Sequence, residues 1–406
     1  MERSILHCDM NNFYASVERL YDKGLVGVPV AVCGDEEARH GIVLAKSEEA
    51  KRFGVVTGDT IWMAKSKCPE LRIVSPHFDR YVKYSRLAKE LYGEYTDLVE
   101  SFGLDECWLD VTASRLAFGD GVKIGEEIRT RVRKEMGLTI SVGVSFNKVL
   151  AKLGSDMKKP DALTHLPKDT FFEKIKDLPV ESILGVGRKS AEIFHLFGIH
   201  TIGALSQAND RFLKLKFGKN GEMLKKYALG EDTSPVLPLS CEPLMKSVGH
   251  GMTFSKDLTT SEEVWTSILA LTQEVGEKLR FHKKKAMGIA IECKDKNFFT
   301  KTLQKRLAVP TDCTMTLAKE AFSLFSARYL FREPIRAISI RAIDLEKVGE
   351  EQLSIFTEKE DLDLRAEKLD RVTDQLSSRY GKGTLILARL MDCDFSDDHE
   401  GYVPFH

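Results

Sequence analysis

Three carboxylates stand where the surrounding sequence favours apolar side chains. Ser4-Ile5-Leu6-His7-Cys8-Asp9 is a short strand that ends in an acid, and Ser101-Phe102-Gly103-Leu104-Asp105-Glu106 sets two adjacent acids into an apolar hairpin expected from Phe102 to Val111. Burying three carboxylates in one place is very costly without cations. The chain is therefore limited to folds in which separate strand ends meet around positive charge. Two magnesium ions about 3.5 to 4 Å apart would supply it, since magnesium takes oxygen ligands and completes its shell with water and phosphate oxygens. One such ion lowers the pKa of an attacking hydroxyl; the other stabilises a leaving oxygen. A lone Asp-Glu pair reads more simply as an exposed turn, and it is the third acid that points to a metal site at Asp9, Asp105 and Glu106.

At 406 residues the chain exceeds one compact core and is expected to form about three or four units. Apolar residues make up 43% and charged residues 30%, and no apolar run approaches the roughly 20 residues of a membrane-spanning helix. The opening residues enter a strand at once, without a charged leader and long apolar stretch, so a cytoplasmic protein is expected. The 8 cysteines are scattered, with no C-x-x-C pair, and read as reduced packing residues. A net charge of −1 hides an asymmetry: Lys and Arg outnumber Asp and Glu between 241 and 345, and the reverse holds from 346 to 406.

Helical character from Asn12 to Glu18 follows the first strand and places Asp9 at a strand end. Pro29 to Cys33 and Ile42 to Ala45 read as paired strands, followed by helices from Glu48 to Phe53 and Thr60 to Lys67. A long helix to about Leu98, the acidic hairpin, a helix from Lys123 to Met136 and a strand from Thr139 to Val144 complete an α+β core. Residues 166 to 235 are helical and carry Leu184-Gly185-Val186-Gly187-Arg188-Lys189. Residues 241 to 345 read βαββαβ, a ferredoxin-like order.

Four ordered segments carry a family resemblance: His7-Cys8-Asp9-Met10-Asn11-Asn12-Phe13-Tyr14-Ala15-Ser16-Val17-Glu18, Phe102-Gly103-Leu104-Asp105-Glu106, Ser141 to Lys152, and Asp156-Met157-Lys158-Lys159-Pro160. They resemble the signatures of the Y-family, lesion-bypass DNA polymerases. The resemblance implies a right-hand, α+β multidomain fold: a ferredoxin-like palm (1–20 and 76–165), small fingers (21–75), a helix-hairpin-helix thumb (166–235), a βαββαβ little finger (241–345) and an acidic tail (346–406). It implies a low-fidelity, translesion DNA polymerase acting on primer-template DNA and deoxynucleoside triphosphates, as a monomer with no membrane partner. Asp9, Asp105 and Glu106, with the Met10 backbone carbonyl, would hold two magnesium ions. Tyr14 would be the steric gate that excludes a 2′-hydroxyl, with Phe13 beside it. Ile42, Leu44, Ala45 and Gly58 would roof the nascent base pair, and Lys46, Lys51 and Lys159 would bind the triphosphate. Asn11, Glu48 and Lys51 depart from the polymerase IV pattern, which often has an acid, a Tyr and an Arg there, and look like the branch containing the catalytic subunit of polymerase V.

Gly185 and Gly187, followed by Arg188 and Lys189, resemble a hairpin whose backbone amides approach a DNA phosphate. Lys301, Lys305 and Arg306, in the run Lys294 to Arg306, are the candidate groove contacts of the third unit, with a solvated face as the plain alternative. Gln352-Leu353-Ser354-Ile355-Phe356 resembles the peptide with which bacterial polymerases dock on the sliding clamp. The carboxylates alone would also fit a two-metal nuclease or cyclase, and Glu48 with Asn11 would fit an inactive DNA scaffold.

Overall fold

The computed structural model describes residues 2–35, 41–241, 244–347, 349, 361–382 and 384–391. The described residues fall into two compact units, the first holding 2–34 and 42–241 and the second those from 244 onward. The strands of the first are β1 (Ile5–Met10), β2 (Val30–Cys33), β3 (Val43–Lys46), β4 (Arg72–Val74), β5 (Val99–Phe102), β6 (Glu106–Asp110), β7 (Ile140–Ser145) and β8 (Leu163–Leu166). Five make one sheet in the order β5-β6-β1-β7-β8, with β1 antiparallel to both neighbours. The register sets Asp9 opposite Glu106 on one side and Ser141 on the other.

Alternation along β1 decides what each face does. Leu6, Cys8 and Met10 join a core with Tyr81, Leu91 and Tyr92 of the helix Phe78–Gly93 and Ile124 and Ile128 of the helix Gly121–Arg131. Ile5, His7 and Asp9 point the other way, toward the helix Lys148–Met157, where Ile5 clusters with Ala151 and His7 reaches Ser155. That helix lies hard against β7: a Cβ on Gly143, the residue opposite His7, would stand 1.8 Å from the Ala151 carbonyl oxygen. Only glycine allows this approach, and the approach fixes how far Lys152 and Ser155 reach toward β1.

β3-β2-β4 form a separate three-stranded sheet, covered by the helices Glu48–Arg52 and Ile61–Lys67 around Val43, Ala50 and Ile61. After β8 the chain is helical, and Phe194, Leu213 and Leu224 anchor its core.

The second unit contains β9 (Ser247–Leu258), the helix Ser261–Phe281, β10 (Lys284–Asp295), β11 (Thr300–Thr311), the helix Thr314–Arg328 and β12 (Ile335–Lys347), the βαββαβ order expected from the sequence. Its sheet runs β11-β10-β12-β9. Ile289, Ile291, Ile338 and Ile340 face the two helices, and among the described residues no helical layer covers the other face of the sheet. The acidic stretch after 346 is not wholly a tail. Asp361–Tyr380 form a helix that docks on this unit, because Arg280 pairs with both Asp370 (3.2 Å) and Asp374, and Asp370 accepts the Thr314 N–H at 2.8 Å. Among the described residues no helix is long and apolar enough to cross a membrane, and no disulfide joins the described cysteines.

Candidate active site

The three acids come together at one end of β1. Met10 donates its N–H to the Asp105 carbonyl at 3.0 Å, which closes the hairpin turn, entered through Gly103 at positive φ, against the strand that carries Asp9. Lys159 approaches within 2.7 Å of both Asp9 Oδ2 and Asp156 Oδ1. Lys152 pairs closely with Glu106 Oε2, and His7 Nε2 stands 3.2 Å from the same oxygen. Asp105 has no ion-pair partner among the described residues.

The protonation states follow from this uneven pairing. Burial, and then the charges of Asp9 and Glu106, push Asp105 up to about 6. Burial also raises Asp9, against the pull of Lys159. Glu106 feels the same burial, yet the closely paired Lys152 ammonium holds its carboxyl below the ordinary carboxylate range. Ser155 donates its hydroxyl proton to the Lys152 carbonyl (2.7 Å), so the contact with His7 Nδ1 (2.8 Å) uses the imidazole's proton. His7 Nε2 then makes no aligned hydrogen bond, and burial lowers the His7 pKa. Among the described residues no three acidic, His or Cys side chains converge as they stand on a point that would hold an ion, because Asp9 and Glu106 are turned toward their lysines. The donors are nevertheless the hard oxygens that magnesium takes, and among the described residues Asp105 is the one acid of the three left without a cation beside it.

Tyr14 and Phe13 separate in role. Phe13 is 3% exposed and belongs to the core, so its ring is not available to a ligand. Tyr14 is half-buried and stacks on Tyr81 with ring centroids 4.1 Å apart; burial and the nearby Asp105 charge raise its pKa. Tyr81 is fixed in turn by a 2.6 Å hydrogen bond to the buried Glu18, which Arg80 holds at 2.8 Å. Nothing in the sequence pattern singled out this support.

Lys46 donates to Thr57 Oγ1 at 3.1 Å, and burial followed by the Lys51 charge lowers its pKa. Lys51 lies 3.6 Å from Glu48, which Asn12 holds at 3.1 Å. Glu48 is thus tied to the loop after β1. Asn11 is buried and has a positioning role: its amide donates to Ser141 Oγ (2.9 Å) and its oxygen accepts the Asp161 N–H (2.8 Å), which fixes the segment just beyond Lys159. Ile42 is exposed, and Ala45 is partly so.

Gly185 has φ +93°, and Gly187 caps the helix Arg188–Leu196, whose exposed Arg188 and Lys189 flank it. In the second unit alternation splits the expected trio. Lys301 donates to the Arg328 carbonyl and Lys305 pairs with Glu320, both on the helix Thr314–Arg328, whereas Arg306 is exposed on the opposite face. Consecutive strand residues cannot share a face, which is why Lys305 and Arg306 part. Arg341 of β12, opposite both Ala290 and Gly249, joins that open face. Gln352 to Phe356 lie outside the described residues.

Residues 8–156 match the impB/mucB/samB family and residues 245–355 match that family's C-terminal domain. The chain is 46% identical over 385 residues to a protein named DNA polymerase IV from Acetivibrio thermocellus, across 94% of this chain and 96% of that one. It is 38% identical to DNA polymerase IV 1 of Bacillus subtilis, across 93% and 91%. A Y-family DNA polymerase chimera of known structure superposes with a TM-score of 0.76 at 22% identity, over 85% of this chain and 99% of that chain.

Proposed function

Because this chain belongs to the impB/mucB/samB family of Y-family DNA polymerases, we propose that Asp9, Asp105 and Glu106 are its catalytic acids and hold the divalent metal on which such enzymes depend. The protein is a low-fidelity DNA-directed DNA polymerase of translesion synthesis, extending a primer on a template with deoxynucleotides. The domain names follow: palm 1–20 and 76–165, fingers 21–75, thumb 166–235, little finger 241–345. The observation that carries the site is that Asp105 stands without an ion-pair partner among the described residues, beside two acids already matched to lysines. We take the metal to be magnesium, two ions per site, with the Met10 carbonyl as a further ligand. When bound, the ions lower the pKa of the primer 3′-hydroxyl and offset charge on the departing pyrophosphate.

The chain's own residues do the rest. Lys159, held protonated by Asp9 and Asp156 against the effect of burial, supplies a fixed cation for the triphosphate once Asp9 turns to metal. Lys46 and Lys51 add charge from the fingers. Tyr14, braced by Tyr81, lies under the sugar. Gly185, Gly187, Arg188, Lys189, Arg306 and Arg341 meet the DNA backbone without reading sequence. Primer lengthening on a template, set against release of acid-soluble nucleotide, tests the assignment: lengthening is expected, and release without lengthening would make the protein a nuclease.

Metal affinity should carry the Asp105 pKa. The carboxylate binds metal only when ionised, so with its pKa raised to about 6 a proton must leave at lower pH. Apparent affinity should rise about tenfold per pH unit up to that value and flatten above it. Calorimetric titration of Mg2+ between pH 5 and 7.5 reads the profile, and Asp105→Asn should remove the slope. A flat wild-type profile would take Asp105 out of the site.

Gln352-Leu353-Ser354-Ile355-Phe356 is assigned to the sliding clamp: two apolar anchors and a glutamine within an acidic stretch fit a preformed apolar pocket. Tethering raises local concentration without altering chemistry. Leu353→Ala with Phe356→Ala should abolish clamp pull-down and clamp-stimulated synthesis while distributive extension of short templates persists. Wild-type pull-down by the double variant would refute the motif.

A further inference from the structure

Trp62, on the helix Ile61–Lys67, is 73% exposed. An indole buries more apolar area than almost any side chain, so leaving one in water forgoes a large stabilisation. Its surroundings are fixed. Thr60 caps the helix and bridges to Ile42, the Val43 N–H donates to the Asp59 carbonyl at 2.8 Å, and Asp59 accepts from both Lys67 (2.7 Å) and the Val56 N–H (2.8 Å). Trp62 therefore stands on a rigid platform rather than a loose loop.

The path of the chain says which way this platform points. The segment from Thr57 to Thr60 runs antiparallel to Ile42–Lys46: Thr57 meets Lys46, and Thr60 meets Ile42. Lys46 marks the triphosphate end and Ile42 the roof of the nascent pair. Trp62 comes two residues after Thr60, at the Ile42 end of this pairing and not at the Lys46 end. Val56 (50% exposed) and Met63 (42%) are further exposed apolar side chains of this segment, and exposed Lys65 follows Trp62 by three residues on the same helix, on its side of the helix surface. An exposed aromatic face with a cation near it is what single-stranded bases stack on.

We propose that Trp62 is a stacking platform for the unpaired template base immediately ahead of the base being copied. This rests on the polymerase reading above. Stacking there holds the single strand flat at the entrance and makes affinity depend on the template overhang and not on its sequence, since every base has a π-face.

The test uses the full-length protein and two primer-templates. One template ends at the templating base; the other carries one further unpaired nucleotide, 2-aminopurine. Anisotropy should show the wild type binding the longer template about tenfold more tightly, within the range of base–aromatic stacking, with quenching of 2-aminopurine. Trp62→Ala should lose the overhang advantage and the quenching, and Trp62→Phe should keep part of both; circular dichroism checks that each variant is folded. An undiminished advantage in Trp62→Ala would overturn the proposal. So would a raised deoxynucleotide KM with the advantage intact, which would place the indole over the incoming base. A wild type that binds both DNAs but extends neither would instead strike at the polymerase reading itself.

Discussion

Alanine in place of Asp9, Asp105 or Glu106 is expected to lower single-turnover nucleotide insertion by about a thousandfold or more, equivalent to about 4 kcal/mol of transition-state stabilisation. The size follows from how the acids are held. They project from the facing ends of β1 and the β5–β6 turn, so none can take over another's direction. Removal of Glu106 also leaves Lys152 part-buried and without its carboxylate, whereas without Asp9, Lys159 falls back on Asp156. Primer-template affinity should change little, because backbone contacts made elsewhere supply it. Rapid-quench insertion beside equilibrium DNA binding separates the two effects, and near wild-type insertion by all three variants would remove them from the chemistry.

Tyr14→Ala should cost selectivity more than activity. The ring lies flat on Tyr81, at 4.1 Å and 9° between planes, and cannot yield to an added 2′-hydroxyl. Removing it should reduce discrimination between deoxy- and ribonucleotides on the order of a hundredfold, while deoxynucleotide addition stays measurable. The ratio of kcat/KM for one matched pair of nucleotides is the readout. An unchanged ratio would return Tyr14 to simple packing beside Phe13.

The acids were legible in the sequence because a carboxylate inside apolar strand sequence is rare and costly, so Asp9, Asp105 and Glu106 stood out before any geometry was known. The βαββαβ unit was legible from its helix and strand periods. What the sequence hid is what depends on a partner far along the chain. Lys152 and His7 converge on Glu106 only because Gly143 lets a helix press against β7, and no local pattern announces that approach. Asn11 looked like a lost acid, and its work is to hold the segment at Asp161. Lys301 and Lys305 looked like DNA contacts because their charge is visible, whereas the Arg328 carbonyl and Glu320 that engage them are not. Strand alternation alone could have paired Arg306 with Arg341 instead. For the helix Asp361–Tyr380, Leu369, Val372 and Leu376 already stand at helical spacing in the sequence; what stayed hidden is its docking, which depends on Arg280 pairing with Asp370 and Asp374.

The most direct test of the site counts ions. Mn2+ is titrated into the wild-type protein assembled with a dideoxy-terminated primer-template and the next correct deoxynucleotide, and bound metal is followed by electron paramagnetic resonance. Two tight, spin-coupled ions per protein, with at least one lost in Asp105→Asn, is the expected result; a single ion, or two that persist unchanged in Asp105→Asn, would contradict the assignment of Asp9, Asp105 and Glu106 as a two-metal site.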